Sequence, residues 1–160
     1  MDREVCANLI GIGIRPAAGG NMNELERAQV TVDTGLEGDK RSRPGRRQIT
    51  LMSEAAWSEA CAELGVTLHW TQRRANLLVD ALPLEHSTGQ TLRIGDVVLE
   101  ITGETDPCGK MDTAHRGLCR SLQPQWRGGV TCKVIRGGEL ALGMRVILDN
   151  RTMQQQDFGV

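Results

Sequence analysis

The sequence predicts a mainly β domain with a few helices (α+β), arranged as a barrel or sandwich of about seven strands. Three observations point there. Seven short segments rich in β-branched residues recur along the chain, separated by Gly, Pro and Asp. Only one segment has a clear helical period. At 160 residues the chain has the length of one domain and can bury a core without disulfide or metal staples.

In order, the strand segments are VCANLIGIGI (5–14), AQVTV (28–32), RQITL (47–51), NLLV (76–79), TLRIGDVVLEITG (91–103), GVTCKVI (129–135) and MRVIL (144–148). Within the fifth, Gly95-Asp96 separates two apolar runs and suits a two-residue hairpin turn. Alternation in GVTCKVI sets Val130, Cys132 and Val134 on one face, which makes Cys132 a small inward-facing hydrophobe. Cys6 is assigned to neither face of its strand. The clear helix is SEAAWSEACAELG (53–65): Ser53 is placed to cap it, Trp57, Ala60, Cys61 and Leu64 share a face, and Gly65 ends it. A weaker helix, TAHRGLCRSL (113–122), sets Leu118, Cys119 and Leu122 on one side before Pro124. Cys61 and Cys119 therefore read as core residues. Residues 150–160 are polar and aperiodic, a tail expected to be mobile.

Acidic and basic residues nearly cancel, 20 against 19, so no global positive field argues for nucleic acid and no basic amphipathic face for a membrane. All but three of the 19 basic residues are arginine, whose planar fork suits phosphate and carboxylate. GC-rich codon usage produces the same bias. The aromatics, Trp57, Trp70, Trp126 and Phe158, are too few to serve as stacking platforms for single-stranded nucleic acid. The start, MDREVCANLIGIGIRP, fits neither a signal peptide nor a transmembrane span, so a cytoplasmic location is expected. The odd number of cysteines, five, is then expected as thiols.

Several motifs fail on inspection. GIGIRP begins like a dinucleotide fingerprint, but Pro16 stands where the third glycine belongs and no helix pattern follows. GETDPCGKM resembles a phosphate loop, yet five residues separate Gly103 from Gly109, and Met111 replaces the magnesium-binding hydroxyl. His69, His86 and His115 are isolated from one another and from paired cysteines, so no zinc spacing exists.

Cys108 differs from the other cysteines in lying in no periodic apolar segment. It follows a strand, between Pro107, which limits the backbone, and Gly109, which permits close approach of a ligand. Lys110 would attract a thiolate there, whereas Asp106 and Asp112 would repel it. From these residues alone, a reactive thiol and a small turn residue both remain open. Two arginine clusters stand just before strands: Arg41, Arg43, Arg46 and Arg47, then Arg73 and Arg74. Each reads as a solvated loop or, if the clusters meet Cys108 at one barrel end, as part of a cationic pocket for an anionic ligand carrying a soft metal.

The series GLEGDK (35–40), RRQITLM (46–52), RRANLLV (73–79), LRIGDVVLEITGETDPCGKMD (92–112), RGGVTCKVIRGGEL (127–140) and GMRVIL (143–148) resembles the MOSC domain, the C-terminal module of molybdenum cofactor sulfurases, here as a small stand-alone bacterial-type member. The resemblance covers nearly the whole chain and sets the domain at 1–149. It implies a β-barrel of about seven strands with flanking helices, binding a molybdenum-pterin cofactor. The family's signature cysteine falls on Cys108, implied to be the catalytic residue, either as the molybdenum ligand or as a sulfur carrier. Arg46, Arg47, Arg73, Arg74, Asn76, Lys110 and Arg127 are then the expected cofactor-binding set, with Glu37, Gly38, Asp39 and 127–129 near the rim.

Two functions follow from the resemblance. One is an oxidoreductase reducing N-hydroxylated compounds with molybdenum on Cys108, which requires an electron-donor protein because the chain has no flavin or iron–sulfur motif. The other is a carrier of persulfide or cofactor, loaded by a cysteine desulfurase-type donor and serving a client molybdoenzyme. Pyridoxal phosphate is expected only on such a donor. A metal-free thiol redox protein ranks last, because Cys108 has no resolving thiol nearby in sequence.

Overall fold

A computed structural model describes residues 4–17, 20–40 and 43–152. In chain order the strands are β1 (Glu4–Ile14), β2 (Asn23–Glu24), β3 (Arg27–Thr31), β4 (Gly35–Leu36), β5 (Ile49–Ser53), β6 (Leu77–Val79), β7 (Gln90–Ile94), β8 (Val97–Glu104), β9 (Val130–Arg136), β10 (Gly138–Ala141) and β11 (Arg145–Thr152), with helices α1 (Glu54–Glu63) and α2 (Leu118–Leu122). Seven strands close a barrel in the order β11-β7-β8-β9-β5-β6-β1, sealed by the β1–β11 pairing. A small sheet, β10-β3-β4, lies beside it. The mainly β barrel with flanking helices is thus as expected.

All barrel pairings are antiparallel except β5–β6. Parallel neighbours need a crossover, and α1 with the 3-10 turn Trp70–Arg73 supplies it. Strand alternation then gives β5 and β6 two buried faces. Leu51, Leu77 and Val79 belong to the barrel core, while Met52 and Leu78 join Trp57, Cys61, Leu118 and Leu122 in a second core beneath the helices.

Local signals read as expected where they are self-contained. Gly95 (φ +59°) and Asp96 join β7 to β8 in two residues, as anticipated. Cys132 is fully buried in the barrel, and burial pushes its thiol far up. Helix α1 ends in a Schellman motif: Val66 N–H donates to Cys61 O and Gly65 N–H to Ala62 O, with Gly65 at φ +69°. Ser53 occupies the N-cap but its side chain makes no capping bond.

Other readings are revised. The weaker helix shortens to α2, because 109–113 forms a separate 3-10 turn and Gly117 enters α2 at φ +91°. Leu118 and Leu122 are buried, whereas Cys119 is only partly buried. Strand β11 runs on to Thr152, into the expected tail, where the Arg151 guanidinium holds the buried Asp149 carboxyl below its usual range. The rest of the tail and Arg41 lie outside the described residues. In GIGI the glycines serve packing. A Cβ on Gly11 would stand 2.8 Å from Trp70 Cζ2, and one on Gly13 2.9 Å from Met22 Cε, so β1 stays bare where Trp70 lies against it.

Candidate functional site

One mouth of the barrel opens into a cleft of about 450 Å³, within the range of roughly 300–1,000 Å³ common for ligand sites. Its walls come from six places far apart in sequence: the segment after β1 (Arg15), the Asp39–Lys40 loop, Thr50 on β5, the turn before β6 (Gln72 to Asn76), the Cys108 loop with the turn that follows it, and Gly128 before β9. Arg73, Arg74, Asn76, Cys108 and Lys110 are brought together here.

Cys108 is exposed and stands at the N-cap of the 3-10 turn Gly109–Thr113, with its carbonyl accepting from Met111 N–H at 2.9 Å. Opposite, Arg73 is buried and holds two loops by their carbonyls, its Nε donating to Gly128 O and its Nη2 to Thr105 O, both at 3.2 Å. Gly128 leaves room for this grip, since a Cβ there would lie 2.8 Å from Thr105 O and 3.3 Å from Arg73 Nη2. Asn76 is also buried. Its Oδ1 accepts from Thr50 N–H and Oγ1, and its Nδ2 donates to Gly13 O, tying β1, β5 and β6 at the cleft wall.

Arg74 is exposed and takes a left-handed conformation (φ 66°, ψ 26°) at the end of its turn. Such a backbone costs a non-glycine residue roughly 1 kcal/mol or more. Arg74→Gly is therefore expected to raise stability by about 1 kcal/mol in urea unfolding while removing a charge from the cleft.

Three residues of the expected set lie elsewhere. Arg46 and Arg47 line a separate pocket of about 540 Å³ with Arg43, where Arg46 O accepts from Thr102 Oγ1 at 2.5 Å. Arg127 is buried against α1, 2.7 Å from Glu63 and 3.1 Å from Glu59, and donates to Ser121 O. Its hydrogen bond lowers the Glu63 carboxyl, and Glu63 in turn raises the Arg127 guanidinium. Arg127 thus fixes the helix layer to the entry of β9.

Arg15 and Lys40 join the cleft without having been singled out as binding residues. They are linked through the backbone, since Arg15 N–H donates to Asp39 Oδ1 and Lys40 N–H to Arg15 O. Their only sequence signal was position: a cation just past a barrel strand, and the last residue of GLEGDK. The lining thus carries Arg15, Lys40, Arg73, Arg74 and Lys110 against a single carboxylate, Asp39. Next to the lining residue Thr105, burial and then the neighbouring Asp106 carboxylate raise the Glu104 carboxyl.

A closed seven-strand barrel with helices on one wall, and an exposed cysteine in a cationic mouth, defines the class of small cysteine-bearing barrel domains. The chain belongs to the MOSC domain family, whose model matches residues 19–147. Among solved structures, YuaD from Bacillus subtilis superimposes with a TM-score of 0.76 at 21% identity, over 92% of this chain and 98% of that one. YiiM from Escherichia coli gives 0.68 at 17% identity, over 91% and 71%. YiiM from Geobacillus stearothermophilus gives 0.65 at 12%, over 89% and 72%. At these identities the likeness establishes the fold. No curated protein sequence matches the chain. Among the described residues no helix is long and apolar enough to cross a membrane.

Proposed function

We propose that the cleft binds a molybdenum-pterin cofactor, with Cys108 as metal ligand and the surrounding cations, Arg74 and Lys110 foremost, holding its phosphate. The observation that carries this reading is the segregation of charge. In a chain of net charge −1, the lining of the cleft that holds the exposed Cys108 carries five cations and one carboxylate, with Asp106 and Asp112 outside that lining. Arg and Lys in a recess are matched to a phosphate, and a thiolate to a soft metal. Among the described residues no three His, Cys, Asp or Glu side chains group to hold a bare metal ion. A metal at Cys108 would therefore have to bring most of its ligands with it, as one bound to a pterin does.

The cofactor would supply the redox chemistry, the reduction of N-hydroxylated compounds by oxygen transfer, with electrons from a separate donor protein. The chain's own part is binding and orientation. Arg73 and Gly128 fix the loops, Asn76 fixes the wall, and Cys108 presents sulfur at the opening.

The test is metal analysis of protein purified from molybdenum-replete cells, beside Cys108→Ser. Stoichiometric molybdenum in the wild type and at least a tenfold loss in the variant are expected. Persulfide on Cys108 without molybdenum would replace this reading with the sulfur-carrier one. Equal metal and sulfur content in both proteins would overturn both.

A further inference from the structure

Cys108 has a neighbour that its sequence position conceals. The Cys119 thiol donates to Pro107 O at 3.5 Å, and that oxygen is only three covalent bonds from the Cys108 Cα. Cys119 N–H also donates to Asp112 Oδ1 at 3.0 Å, fastening the start of α2 to the 3-10 turn that Cys108 caps. We propose that Cys108 and Cys119 form a reversible redox pair, in which Cys119 resolves an oxidised Cys108 as an intramolecular disulfide.

The two sulfurs are suited to different parts. Cys108 is exposed and meets an oxidant first, whereas Cys119 is partly buried behind the loop. The remaining thiols are poor partners. Cys61 and Cys132 are buried, which pushes both thiols up, and Cys6 lies on the barrel wall opposite Ile147. A disulfide needs Cα atoms about 4.4–6.8 Å apart, and the Cys108 loop can adjust. Asp106, Cys108, Gly109 and Lys110 are all exposed, and a Cβ on Gly109 would meet nothing within 4 Å. A segment with so few buried contacts opens at low cost.

Hydrogen peroxide supplies the oxidising equivalents. The Cys108 thiolate attacks one peroxide oxygen; an S–O bond forms, the O–O bond breaks, and hydroxide leaves, taking up as water the proton that the thiol released on ionising, to give a sulfenic acid. Cys119 sulfur then attacks Cys108 sulfur. An S–S bond forms, the S–O bond breaks, and hydroxide departs as water with the Cys119 proton. A dithiol returns both residues to thiols. The disulfide removes the thiolate that the cofactor reading requires, but its formation needs no cofactor.

The full chain, purified from molybdenum-free medium, would be reduced and treated with hydrogen peroxide, followed by thiol titration and non-reducing peptide mapping. A Cys108–Cys119 linked peptide is expected, with two thiols lost and both recovered by dithiothreitol. In Cys119→Ser and Cys119→Ala, Cys108 should instead pass through a dimedone-reactive sulfenic acid to sulfinic acid that dithiothreitol does not recover; Cys6→Ser should behave as wild type. The same sulfinic yield at Cys108 in wild type and both Cys119 variants would overturn the pairing, as would a Cys6–Cys108 link. Because no molybdenum is present, either result leaves the cofactor reading to its own test.

Discussion

Gly129→Ala is expected to cost about 4 kcal/mol, a value reached only by steric or buried-charge damage, against a total of roughly 5–15 kcal/mol for a domain. Gly129 sits at φ +97°, and a Cβ there would lie 2.3 Å from Leu51 O, 3.1 Å from the Leu51 carbonyl carbon and 3.2 Å from Met52 Cα. Every one of those atoms is backbone of β5, so no side chain can rotate away. Strand β5 cannot retreat either, because it pairs with β9 on one side and β6 on the other, and both its faces are buried. The damage should reach the cleft, since Gly129 O accepts from Thr105 N–H at the head of the Cys108 loop. Urea unfolding with Gly109→Ala as control tests the point. Gly109 has open space and an ordinary φ, so its variant should stay within about 0.5 kcal/mol of wild type. A Gly129→Ala midpoint equal to the control's would disprove the close approach of β9 to β5.

The same contrast explains what could be read from the sequence. The Gly95-Asp96 hairpin, the helix with its Gly65 stop and the inward Cys132 were legible because each depends on spacing within a few residues. The parallel β5–β6 pair and the sheet of β3, β4 and β10 were not, since they are fixed by partners distant in the chain. Among the candidate site residues the arginines divided for this reason. Arg127 precedes a strand just as Arg46–Arg47 and Arg73–Arg74 do, and only the approach of α1 gives it Glu59 and Glu63. Those two acids stand at i and i+4, hence on one helix face, which was a signal that the face wants a cation. The helical spacing of Cys119 with Leu118 and Leu122 points to the core, whereas the 3-10 turn in front of it, Gly109–Thr113, has no such local signal. That turn brings Pro107 back against its sulfur.

Arg73→Met is expected to lower stability by about 2 kcal/mol, because hydrogen bonds from a charged donor contribute roughly 1.5–3 kcal/mol each while loss of the buried charge returns part of that as desolvation no longer incurred. The hydrogen bonds at stake run to Gly128 O and Thr105 O, and Met111 Sδ lies 3.9 Å from Nη1. Arg73 is thus a cation at the cleft and also the link between the loops that form it. Arg73→Lys separates these roles. It keeps the charge, but a single ammonium cannot match the planar fork to two carbonyls, so most of the stability loss should remain. Arg74 provides the opposite case, since it is exposed and strained, and replacing it removes charge without loosening the loops. The readout is the rate at which Cys108 reacts with a thiol reagent in native protein, beside the urea midpoint. If Arg73 anchors the loop, Cys108 reacts several-fold faster in both Arg73 variants and not in Arg74→Gly. If Arg73 acted at the cleft through charge alone, Arg73→Lys would match wild type in both measurements, and the anchoring role would be wrong.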